Sequence, residues 1–71
     1  MNDGQADIPS LTPREKQCLT HLALGLRVQE LADRIGISTK TAEKQIASAR
    51  KKLGAATRDQ AVAIAINLKL I

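Results

Sequence analysis

Val28–Leu53 reads VQELADRIGISTKTAEKQIASARKKL, and this stretch decides the fold. Val28, Leu31, Ala32 and Ile35 recur at helical spacing and define one apolar face. Ala32 sits where two helices would approach closely, so a small side chain suits it. Gly36-Ile37-Ser38 follows, with Gly36 supplying a permissive turn position and Ser38 a cap for the next helix. In that next helix Ala42, Ile46, Ala49 and Leu53 form a second apolar stripe. The opposite face carries Lys40, Glu43, Lys44, Ala47, Ser48 and Lys51. Two short helices, a tight turn and a cationic second helix are the sequence form of a helix-turn-helix. The second helix of that motif enters the DNA major groove.

The charge distribution supports this reading. From Lys40 to Arg58 there are six basic residues and one acidic residue, Glu43, a net of +5. The rest of the chain holds five basic and six acidic residues, a net of −1. The whole excess lies on one helix and the loop after it. Such a localised stripe is the footprint of a polyanion partner; the alternative is a solvated helix face with incidental lysines.

Outside this stretch the chain is short and plain. Seventy-one residues make one small domain, which buries only about 60% of its unfolded surface. No Phe, Tyr or Trp is present, so the core must be aliphatic, as in small helical bundles. Lack of aromatics also argues against single-stranded nucleic acid, whose bases stack on such rings. A single cysteine, Cys18, excludes an internal disulfide. No apolar segment reads as a signal core or a membrane span, so a cytoplasmic protein without membrane contact is expected.

Residues 1–10 read as a disordered arm or linker, and 11–71 as the folded domain. Thr12 can cap a first helix, with Pro13 at its first position and Leu11 as a staple residue. Glu15 is read as falling one residue early for a full capping box. Cys18, Leu19, Leu22 and Ala23 continue that helix, and Gly25 stops it. Gly54 ends the third helix. Thr57 caps a fourth, expected to run to the C-terminus as RDQAVAIAINLKLI. That helix is apolar nearly all round, so it has a second surface to cover, most simply with another subunit. The alternative is that its alanines merely favour helix and Ile64 alone is exposed. The expected class is all-α: a compact four-helix domain containing a helix-turn-helix.

These pieces together resemble the LuxR-type DNA-binding domain. The resemblance rests on Leu11-Thr12-Pro13-Arg14-Glu15, Leu22-Ala23-x-Gly25, Glu30-Leu31-Ala32, Ile35-Gly36-Ile37-Ser38, Thr41, Lys52-Leu53-Gly54 and Arg58-x-x-Ala61-Val62. The closing Leu70-Ile71 is similar to the end of quorum-sensing members. The resemblance implies a bacterial transcription regulator that binds double-stranded DNA as a homodimer, with RNA polymerase a further candidate partner. It places dimer contact on the fourth helix, where Gln60, Ile64 and Asn67 are the candidates. Full regulators of this type usually add an N-terminal acyl-homoserine-lactone or phosphoacceptor domain, so the chain reads as an excised or a free-standing output domain. Three residues depart from the family pattern. Ala42 and Gln45 stand where Val and His are usual, and Lys69 where Gly is.

Matching the family motif puts Glu43, Lys44 and Ala47 at base-facing positions. Lys44 can donate to guanine, Glu43 can accept from cytosine N4, and Ala47 can pack on a thymine methyl. Glu43 could instead pair with Lys40 or Lys44. Phosphate contacts are expected from Arg27, Gln29, Thr39, Lys40, Thr41, Lys51 and Lys52. Arg50 is expected to pack on the fourth helix and Arg58 to pair with Glu15. His21 lacks metal-ligand neighbours, and Cys18 and His21 would share a surface helix without a cleft, so no metal, cofactor or enzymatic role is expected. Two competing readings remain: a sigma-factor region 4, which the fourth helix disfavours, and an interaction protein that sequesters a full-length relative.

Overall fold

A computed structural model describes residues 9–71. The expected arm, 1–10, lies largely outside the described residues. Four helices follow in order: α1 Pro13–Ala23, α2 Val28–Ile35, α3 Thr39–Lys52 and α4 Arg58–Asn67. No strand occurs among the described residues.

Local chemistry sets each start. Thr12 Oγ1 accepts the Glu15 N–H at 3.1 Å, and Glu15 Oε1 accepts the Thr12 N–H at 2.9 Å. The capping box is therefore complete, contrary to the expectation of a misplaced glutamate. With Pro13 as the first helical residue, Glu15 is the third, which is where the box needs it. Ser38 and Thr57 cap α3 and α4 by accepting the N–H groups of Thr41 and Gln60. Glu30 Oε1 accepts the Arg27 N–H at the start of α2.

The helix ends share one geometry. After α2, Ile37 N–H donates to Ala32 O and Gly36 N–H to Asp33 O, with Gly36 at φ +75°. This paired closure satisfies carbonyls that a helix end otherwise orphans. The same closure ends α4, where Leu70 N–H donates to Ala65 O at 2.8 Å and Lys69 N–H to Ile66 O at 2.9 Å. Helix α4 thus stops at Asn67 and does not reach the C-terminus. Lys69 occupies the left-handed position at φ +58°, the one non-glycine to do so among the described residues.

The core has two parts. Cys18, Val28, Leu31, Ala32, Ala42 and Ile46 pack together under α2. Leu11, Leu19, Ala49, Leu53, Ala55, Ala61 and Ala65 pack together under α4. The leading half of the α3 stripe serves the first cluster and its trailing half the second. Helices α1 and α3 form the central pair, while α2 and α4 flank opposite ends and do not meet. Alanine at Ala32, Ala42, Ala49, Ala61 and Ala65 lets the helix axes approach closely, and all five are buried. Ala42, the departure from the family's valine, is fully enclosed.

Ile64 is half-buried and packs against the second cluster. This corrects the alternative in which Ile64 alone was exposed. The exposed large apolar residues are Leu24, Ile66 and Leu68, and Ala63 is exposed as well.

Candidate nucleic-acid interface

The buried stripe of α3 fixes what its other face presents. Ala42, Ile46, Ala49 and Leu53 point inward, so Lys40, Lys44, Ala47 and Lys51, spaced alike and offset by two residues, point to solvent. Thr39, Thr41 and Glu43 are also exposed. Gln45 and Ser48 lie half-buried on the flanks. At the start of α2, Arg27 and Gln29 are exposed. The seven residues expected at phosphates and the three expected at bases are all exposed.

Hydrogen bonds divide that set. Ser38 Oγ accepts the Thr41 N–H at 3.0 Å and donates to Thr41 Oγ1 at 2.9 Å, which holds the first turn of α3. The ion pairs among the described residues are Lys52 with Glu15 and Arg58 with Glu43. Lys40, Lys44 and Lys51 are in neither pair. Lys52 Nζ donates to Glu15 Oε1 at 2.9 Å, so its ammonium faces α1.

Glu15 is the hub behind the helix-turn-helix. Its side chain is almost wholly buried and receives Thr12 N–H, Ser48 Oγ at 2.6 Å and Lys52 Nζ. Burial pushes its carboxyl up, but the hydrogen bonds from Ser48, Thr12 and Lys52 and the charge of Lys52 outweigh that, leaving it below the ordinary carboxylate value. Arg14 Nη1 donates to Ile35 O at 3.3 Å, tying α1 to the end of α2. Helix α1 therefore holds both limbs of the motif.

Two contact expectations, for Arg58 and for Glu43, are corrected. Arg58 pairs with Glu43 at 2.7 Å, not with Glu15. Glu43 correspondingly pairs with Arg58 and not with Lys40 or Lys44. Arg50 Nη1 donates to Ala55 O at 3.3 Å, in the loop before α4. The Arg58–Glu43 contact joins residues far apart in sequence, so no local spacing signals it. His21 Nδ1 donates to Gln17 O at 2.8 Å on the α1 surface, and burial pushes the Cys18 thiol up. No group of three His, Cys, Asp or Glu side chains among the described residues is placed to hold a metal ion.

On the candidate α4 interface, Gln60 and Asn67 are exposed beside the half-buried Ile64. Gln60 Oε1 accepts the Ala56 N–H at 2.6 Å, so one end of that side chain is already engaged.

The family described as "Bacterial regulatory proteins, luxR family" matches residues 9–65, most of the chain. The chain belongs to the LuxR family of bacterial regulatory proteins. Two curated relatives of this LuxR-type domain are transcriptional activators. BjaR1 of Bradyrhizobium diazoefficiens is 41% identical over 61 residues, covering 86% of this chain and 25% of that protein. RaiR of Rhizobium etli is 42% identical over 55 residues, covering 78% and 23%. A solved Vibrio cholerae VqmA dimer, described as a LuxR-type receptor, superposes with a TM-score of 0.80 at 39% identity, over 87% of this chain and 28% of that one. VqmA bound to DPO superposes with a TM-score of 0.75 at 40% identity, over 80% and 28%. The chain thus spans about a quarter of the relatives it matches. It is a LuxR-type helix-turn-helix DNA-binding domain, a kind of domain that implies transcription regulation. No helix among the described residues is long and apolar enough to cross a membrane.

Proposed function

We propose that this domain binds double-stranded DNA sequence-specifically, with α3 in the major groove, and that two copies pair through α4 on one site. The observation that carries this is the outer face of α3. Lys40, Lys44 and Lys51 lie outside both ion pairs, flank the small exposed Ala47, and stand directly opposite the buried stripe. Cations on one solvent face of a helix held rigidly from behind suit a phosphate-lined groove. In this reading Lys44, Glu43 and Ala47 meet base edges. Arg27, Gln29, Thr39, Lys40, Thr41 and Lys51 meet phosphates, and Lys52 does so only by sharing its ammonium with Glu15.

Pairing through Gln60, Ile64 and Asn67 is supported by the apolar excess of α4, to which Ala63 and Ile66 add exposed surface. It is also supported by the likeness to VqmA, described as a dimer in the absence of its target DNA. The relatives are activators and receptors of whose length this chain covers about a quarter. The chain therefore serves as the DNA-binding output of cytoplasmic transcription regulation in a quorum-sensing setting, with RNA polymerase a further partner. The family match favours this over a sigma-factor region, and no enzymatic activity is proposed.

The test is selection of bound sequences from a random duplex pool, followed by titration of the winner at several salt concentrations. We expect a palindromic site that takes two chains. With about five phosphate contacts per subunit, affinity should fall steeply with salt. Salt-independent affinity overturns the reading. An absence of DNA binding favours instead a protein that sequesters a relative through α4.

A further inference from the structure

We propose that Arg58 sets the base preference of this domain through Glu43, as a positioning residue that reads no base itself. The inference rests on the DNA-binding reading above. Glu43 is the one acid in a run of cations on the exposed face of α3. An unpaired carboxylate there would be repelled by phosphates and would sample several rotamers. Arg58 removes both difficulties. Its Nη2 donates to Glu43 Oε1 at 2.7 Å, and this contact leaves Oε2 for another donor.

The guanidinium is delivered from a constrained base. Arg58 is the first residue of α4, directly after the cap Thr57, whose Oγ1 accepts the Gln60 N–H at 3.1 Å. The preceding loop is pinned by buried Ala55, by Arg50 on Ala55 O, and by Gln60 on the Ala56 N–H. Glu43 is therefore held from another helix, through a loop that is itself anchored to α3.

The chemistry selects a donor. An ionised carboxylate only accepts hydrogen bonds, so the free Oε2 matches the cytosine N4 amino group and opposes guanine O6 and N7. Holding the side chain before DNA arrives lowers the ordering cost of the contact. An exposed pair contributes little to folding. Both side chains are about half-exposed, with 45% of Arg58 and 47% of Glu43 accessible. The consequence of the pair therefore falls on recognition and not on stability.

Sequence selection should be run on the wild-type chain, Arg58→Ala, Arg58→Lys, Glu43→Gln and the double variant Arg58→Ala/Glu43→Gln, each first checked for an unchanged melting curve. The wild type should prefer cytosine at one position per half-site by about tenfold or more, the usual effect of one wrong base pair. Glu43→Gln and Arg58→Ala should each erase that preference, the double variant should add nothing, and Arg58→Lys should restore part of it. Other positions in the site should keep their preferences. Arg58→Ala that weakens operator and scrambled duplexes equally, with cytosine preference intact, makes Arg58 a phosphate contact and overturns the proposal. A Glu43→Gln profile identical to the wild type also overturns it while leaving the DNA-binding reading standing. A wild-type chain with no preference for any duplex sinks both.

Discussion

Ser48 Oγ on α3 donates to Glu15 Oε2 on α1 at 2.6 Å, and this bond fixes how the candidate recognition helix sits on its support. Lys52, one turn further along α3, donates to the other oxygen of the same carboxylate. Two side chains on one ridge of α3 thus converge on a single buried acid whose backbone already belongs to the α1 cap. The register between the two central helices is set by polar geometry as well as by packing.

Glu15→Ala should therefore destabilise the domain well beyond a surface substitution. It strips the partner from Ser48, Lys52 and the Thr12 N–H at once. The expected loss is about 2–3 kcal/mol, moderated by the partial exposure of Lys52. Urea unfolding followed by circular dichroism measures it, and a loss within the range of surface substitutions would refute the hub role.

The same carboxyl predicts a pH dependence. Its folded pKa lies below its ordinary value, because hydrogen bonds from Ser48, Thr12 and Lys52 and the charge of Lys52 exceed the opposing effect of burial. The folded state therefore releases this proton more readily than the unfolded state. The contribution is complete above the ordinary carboxylate range and is lost as pH falls through the depressed folded value. Urea midpoints measured on acidification should drop in the wild type, with the drop reduced in Glu15→Gln.

Ile46→Ala should come close to unfolding the domain. Ile46 is 2% exposed and lies on the α3 stripe within the α2-side cluster. Truncation of such a side chain costs about 2–5 kcal/mol, a large part of what a domain this small has. The thermal transition should move far down or lose cooperativity. A shift of only a degree or two would show that the cluster can collapse around the gap.

Lys69→Gly should stabilise. Lys69 holds φ +58° to close α4, a conformation that costs a residue with a Cβ about 1 kcal/mol and glycine almost nothing. A rise in melting temperature is expected for Lys69→Gly and a fall for Lys69→Val.

Lys44→Ala and Lys51→Ala should separate the two kinds of DNA contact. Both lysines are exposed on α3. Lys44→Ala should lower operator affinity and relax sequence preference, whereas Lys51→Ala should weaken operator and scrambled duplexes alike and reduce the salt slope by about one. Fluorescence anisotropy on the two duplexes distinguishes them, and equal losses for Lys44→Ala on both would remove it from base reading.

The amino-acid sequence by itself determined the four helices, three of their caps and the two faces of α3. Those features are written in local spacing: Thr12, Ser38 and Thr57 before helices, Gly25, Gly36 and Gly54 after them, and Ala42, Ile46, Ala49 and Leu53 on one stripe. It also carried the family, since the motif residues run along nearly the whole matched segment. Only the tertiary structure decided the partners of the long charged side chains. Glu15 chose Lys52 and Ser48, and Glu43 chose Arg58 over Lys40 and Lys44. Flexible side chains reach several neighbours, and which one they meet depends on how helices distant in sequence are brought together. The end of α4 was decided in the same way. The helix-forming run extends past Asn67, but Lys69 turns left-handed, and Leu70 and Ile71 fold back to pack against the α4-side cluster.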